Sequence, residues 1–156
     1  MRTAIFAVAI GLLTASPALA QQVTAKDPQS IARALVASGY RAEMKKDGEG
    51  DPMIMSASSG TKFGVSFYNC TNHANCATVQ FHAGFDTDPG KAPSLEKINA
   101  WNRTQRFGRA YLDNEGDPVI EMDIDLDDGG MSQPLFLDNL EFWVSVLAQF
   151  EKEIGW

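Results

Sequence analysis

The stretch FGVSFYNCTNHANCATVQF, residues 63–81, decides the fold class. Phe63, Val65 and Phe67 alternate with small or polar residues, and beyond the two cysteines the same period of two resumes with Ala77, Val79 and Phe81. Two half-buried strands joined by a short loop read as an antiparallel hairpin. The loop holds Cys70 and Cys76, the two cysteines of the chain. A disulfide between them is expected, and closing so small a loop contributes about 2 kcal/mol in the chain-entropy model. The same loop spells C-x-x-H-x-x-C around His73, with His82 further on. It lacks the C-x2-4-C and H-x3-5-H pairings of structural zinc sites, so no metal is expected there.

Upstream, Asp27-Pro28 supplies an N-cap and a proline for the first turn of a helix whose apolar face is Ile31, Ala34, Leu35 and Val36. Gly39 ends it. Tyr40 to Lys46 alternates Tyr40, Ala42 and Met44 with charged residues, as a half-buried strand does, and Asp47 to Asp51 turns the chain into Met53 to Ala57. Downstream, Gly84 to Pro93 is a polar connection, and Ser94 caps a second helix with Leu95, Ile98 and Trp101 inward. Phe107 to Asp113 and Val119 to Leu126 form a hairpin around Asn114 to Pro118. The last helix places Phe136, Leu140, Trp143, Leu147, Phe150 and Ile154 at alternating helical spacings, with Ser132 at its N-cap and Pro134 in its first turn. That aromatic stripe reads as the face covering the sheet, with a partner groove as the alternative. The expected architecture is α+β: an antiparallel sheet of about five strands with helices packed on one face, in the order α-β-β-β-α-β-β-α.

The N-terminal segment has the form of a signal peptide. Arg2 precedes the uncharged apolar run Ala4 to Leu13, and Ala18-Leu19-Ala20 offers small residues for cleavage before Gln21. The run falls short of the about 20 apolar residues a membrane span needs. Residues 1–20 are therefore expected to be removed, leaving residues 21–156 as a single periplasmic or secreted domain with no membrane insertion after cleavage. A formal net charge of -7 argues against nucleic acid and anionic membrane surfaces as partners.

Ile98-Asn99-Ala100-Trp101-Asn102 through Gly116-Asp117-Pro118, then Glu121-Met122-Asp123 and Gly129-Gly130-Met131-Ser132 leading into Leu140 and Trp143, resemble the YbjN domain family. The resemblance follows the element order over nearly all of residues 21–156, and its specific part runs from Ile98 to Phe150. Members are described as bacterial sensory transduction regulators and are similar in fold to type III secretion chaperones, which bind extended segments of partner proteins. The resemblance implies that fold and a chaperone-like or regulatory role. It implies no reaction and no catalytic residues.

Asp123, Asp125 and Asp127 resemble the start of a calcium loop, but glycine does not follow the third ligand and Pro134 stands where a glutamate belongs. The alternation of Met122, Ile124 and Leu126 with these aspartates reads instead as a strand with an acidic solvent face. The chain lacks G-x-S-x-G, H-E-x-x-H, Walker and dinucleotide motifs, and His73 and His82 read as surface residues, so no enzyme and no cofactor are expected. Asn99, Trp101, Asn102 and Arg103 form a polar edge beside an aromatic; either it binds a partner's backbone or carboxylate, or Asn102 caps a local turn and Arg103 is solvated. The function expected is a non-enzymatic interaction module binding a protein partner through a helix face or sheet edge, with a small-ligand or cation-binding periplasmic sensor as the alternative. A homodimer is expected if Trp143, Phe150 and Trp156 extend one apolar stripe beyond the core.

Overall fold

The computed structural model describes residues 22–156, and the signal peptide expected over residues 1–20 lies outside the described residues. The described chain enters through β1 (Gln22–Val23) and turns into α1 (Pro28–Ala37). The Asp27 side chain accepts the Gln29 N–H at 3.1 Å, and proline in the first turn has no N–H to leave unpaired. Four strands follow as a meander: β2 (Glu43–Lys46), β3 (Pro52–Ser58), β4 (Thr61–Tyr68) and β5 (Thr78–Gly84). After α2 (Leu95–Thr104) come the hairpin strands β6 (Arg109–Leu112) and β7 (Pro118–Asp125), then β8 (Met131–Ser132) and α3 (Gln133–Ile154).

The main sheet has six strands in the order β2-β3-β4-β5-β7-β6, and every pairing is antiparallel. About five strands were expected, with three between the first two helices; all four alternating runs there form strands. A separate ladder of β1 on β8 pairs Val23 with Met131. It depends on Gly130 at φ 80°, where a Cβ would stand 2.1 Å from the Val23 carbonyl oxygen.

Register puts Ile54, Val65, Phe81 and Met122 in one row across β3, β4, β5 and β7, with Phe63 and Val79 on the same face. The stripe of α3 covers that face. Trp143 is fully buried, edge-on to Phe63 at 5.8 Å and stacked on Phe81 at 5.6 Å. Phe136, Leu140, Leu147 and Phe150 are buried along the same stripe, each stabilising the fold by about 1.5–3 kcal/mol through apolar area removed from water. Ser132 stands at the N-cap of α3 without a side-chain hydrogen bond, and Gly155 ends the helix in a left-handed conformation.

Leu95, expected inward on α2 as its first apolar residue, is 62 % exposed, leaving Ile98 and Trp101 as the buried face, and two more details differ from expectation at one edge of the sheet. The run Tyr40 to Lys46 shortens to β2, all four of whose residues are exposed, because no strand among the described residues lies beyond it. Val36, expected on the core face of α1, is 60 % exposed and overhangs that same edge.

Candidate functional site

The sheet face away from the helices is polar, and period-two alternation puts Ser66 of β4, Gln80 and His82 of β5, and Glu121 and Asp123 of β7 on it. Gln80 Nε2 donates to Asp123 Oδ1 at 2.8 Å, and Tyr68 donates to Gln80 Oε1 at 3.3 Å. Ser66 Oγ and His82 Nε2 lie 3.0 Å apart. Gly64 makes room for that imidazole, since a Cβ there would come within 2.3 Å of His82 Nε2. Burial holds the His82 pKa below its ordinary value, against an opposing pull from the Glu121 carboxylate. Glu121 is itself buried, and its carboxylate is taken by the Arg109 guanidinium and by the Tyr111 hydroxyl at 2.8 Å. Burial, then the hydrogen bond to Glu121, pushes the Tyr111 phenol up to about 12.

A hydroxyl beside an imidazole is the beginning of a nucleophile and base pair. Here the nearby carboxylate is occupied by Arg109 and Tyr111, and no side-chain hydrogen bond among the described residues orients His82 from its other nitrogen. Ser66 lies on β4, which is paired on both sides, so its strand has few free N–H groups to stabilise an oxyanion. The sequence conceals the Ser66–His82 contact because it is diagonal: Ser66 pairs with Gln80, and His82 with Gly64.

The two edges of the sheet are built differently. At β6, the Asn102 side chain reaches from α2 and takes both backbone groups of Ala110, donating to its carbonyl at 2.9 Å and accepting its N–H at 2.9 Å. The amide thus mimics one residue of a neighbouring strand. At β2 nothing similar happens: among the described residues it pairs with β3 alone. A cleft of about 220 Å³ lies on its polar face, lined by Arg41, Glu43, Lys45, Met55 and Lys62. A mostly apolar groove of about 370 Å³ lies on its other face, between β2 and α1, lined by Ala32, Val36, Ala37, Ala42 and Met44. The alternation of Arg41, Glu43 and Lys45 with Ala42 and Met44 carried this signal in the sequence.

The expected site residues separate in space. Trp143 and Trp101 are core residues, Trp101 packing edge-on to Phe150 at 5.1 Å. Asn102 is committed to β6, while Asn99 and Arg103 are exposed on α2. Phe150 is buried and Trp156 is 60 % exposed against Phe85. Asp123 is held by Gln80, Asp125 accepts the Asp127 N–H at 3.0 Å, and Asp127 lies 3.9 Å from Lys26. Among the described residues no group of three or more His, Cys, Asp or Glu side chains could hold a metal ion.

Cys70 and Cys76 form the expected disulfide, with Cys76 fully buried. Between them Thr71 and Ala74 exchange backbone hydrogen bonds at 2.7 and 3.1 Å around Asn72 and His73, both at positive φ as a two-residue primed turn requires. His73 Nδ1 stands 2.7 Å from Asp51 Oδ1, fastening this small hairpin to the β2–β3 turn.

No helix among the described residues is long and apolar enough to cross a membrane. The family model YbjN, described as "Putative bacterial sensory transduction regulator", matches residues 27–156. No match to a curated protein was found.

Proposed function

This chain belongs to the YbjN family, and on that premise we propose that it is an exported, non-enzymatic regulatory module that binds a protein partner in a chaperone-like manner. The observation that carries the reading is the contrast between the sheet edges: β6 is closed by Asn102, whereas the outer side of β2 has no strand partner among the described residues and lies between two concave surfaces. An open sheet edge is a template for a further strand. Export, with residues 1–20 as the cleaved signal and the periplasm or the exterior as the destination, is supported by the Cys70–Cys76 bond, which persists in an oxidising compartment. The reading as a binding module is supported by the polar face as well, where the hydrogen bonds of Ser66, Gln80 and Glu121 are made within the sheet.

The test is recovery of a partner by the oxidised protein from an envelope extract, followed by titration with that partner in pure form. Saturable binding at one stoichiometry supports the proposal. Nonsaturable or absent binding by every purified candidate refutes it.

A further inference from the structure

We propose that β2 recognises an extended peptide strand in which apolar and acidic residues alternate. The inference rests on the protein-binding reading above and names the chemistry of the partner. A strand laid antiparallel or parallel along β2 sends successive side chains to opposite faces of the sheet. On one face they meet Val36, Ala42 and Met44 in the groove of about 370 Å³, and on the other they meet Arg41 and Lys45 at the rim of the cleft of about 220 Å³, with Lys62 of β4 adding positive charge further in. The period of the ligand is thereby fixed at two, and the two faces demand different side chains.

Charge selects the polar half of the pattern. The chain carries a net charge of -7, yet this cleft gathers three cations. Glu43, the one acid lining it, is 3.3 Å from Lys45, and neither Arg41 nor Lys62 has an ion-pair partner among the described residues. Carboxylates on an incoming strand would complement them, and lysines would be repelled. The same argument disfavours a second copy of this chain as the occupant. Pairing β2 with β2 about a twofold axis normal to the sheet brings the basic clefts of both copies together on one face. A strand of four residues offers about four outward backbone hydrogen bonds at most, so the side-chain surfaces must supply much of the affinity and nearly all the selectivity.

The experiment titrates the oxidised protein with three fluorescein-labelled hexapeptides: alternating valine and glutamate, alternating valine and lysine, and a block of valines followed by a block of glutamates. Anisotropy is expected to show saturable binding of the valine–glutamate peptide, with affinity at least about tenfold above either control and falling severalfold between low and moderate salt. Amide chemical shifts of Glu43 to Lys46 should move on binding, and the double variant R41E/K45E should reverse the preference between glutamate and lysine peptides. Equal binding of all three peptides, shifts confined to other elements, or binding of none would overturn the inference. So would a dimer seen by light scattering that Met44→Asp dissociates, since a second copy would then hold the edge. If no peptide binds while a purified partner still binds saturably, edge recognition fails and the protein-binding function stands; if the partner also fails, the broader reading falls with it.

Discussion

The β6 and β2 edges end the same sheet, and they meet solvent in opposite ways. β6 is latched three times: Asn102 holds Ala110 from α2, while Arg109 and Tyr111 both reach the Glu121 carboxylate on β7. β2 carries only exposed Glu43, Met44, Lys45 and Lys46 beyond its ladder with β3. Edge lysines discourage indiscriminate strand pairing. The comparison shows that an open edge need not be an unfinished one. Charge protects β2 from apolar strands, and the same charge would admit a complementary one.

The most severe way to break the closed edge is to loosen α2. Trp101→Ala empties a nearly fully buried site against Phe150 and should cost about 3–5 kcal/mol, read as a lowered midpoint in chemical denaturation. Asn102→Ala removes the strand mimic itself. It should cost about 1–3 kcal/mol and raise the hydrogen-exchange rate of the Ala110 amide, with β2 amides unaffected.

A titration sharpens the contrast without a mutation. The folded Tyr111 phenol keeps its proton up to about 12, above the ordinary value of 10.0, while the unfolded chain releases it near that ordinary value. Between those two values the folded state binds more protons, so the Tyr111 contribution to stability is full below pH 10.0 and is lost as pH rises through about 12. Tyr111→Phe should flatten that alkaline slope in thermal melts, while a change at β2 should leave it in place. The smallest effect is expected at the open edge: Met44→Asp should change stability by no more than about 0.5 kcal/mol, because Met44 is already 37 % exposed. A large loss from that substitution would mean that β2 is as integral to the fold as β6.

The sequence disclosed what is local. The stripe of α3 and its boundary at Ser132, the hairpin of β6 and β7, and the cysteine loop are fixed by residues within a few positions of one another. The family resemblance centred on Ile98 to Phe150 agrees with the family model matched over residues 27–156. What stayed hidden depends on partners far along the chain. A ladder as short as β1 on β8 has no periodicity to read. Asn102 resembles any polar helix residue until β6 is seen beside it, and Tyr40 to Lys46 alternates like a half-buried strand although its outer side faces solvent. The Ser66–His82 contact likewise required the register of β4 on β5.

The strand order also has an entropic meaning. β2 on β3, β3 on β4, β4 on β5 and β6 on β7 are all pairings between chain neighbours, which close with little loss of chain entropy. Within the six-stranded sheet, only β5 on β7 joins residues separated by a helix and another strand, as in Gly84 opposite Val119 and Thr78 opposite Asp125. That ladder therefore closes the longest loop within the main sheet and carries its largest chain-entropy cost. The Cys70–Cys76 staple lies at the turn between β4 and β5, on the near side of that closure. The bond restricts the turn of the β4–β5 hairpin before any pairing with β7, so less chain entropy remains to be lost when the two halves of the sheet meet.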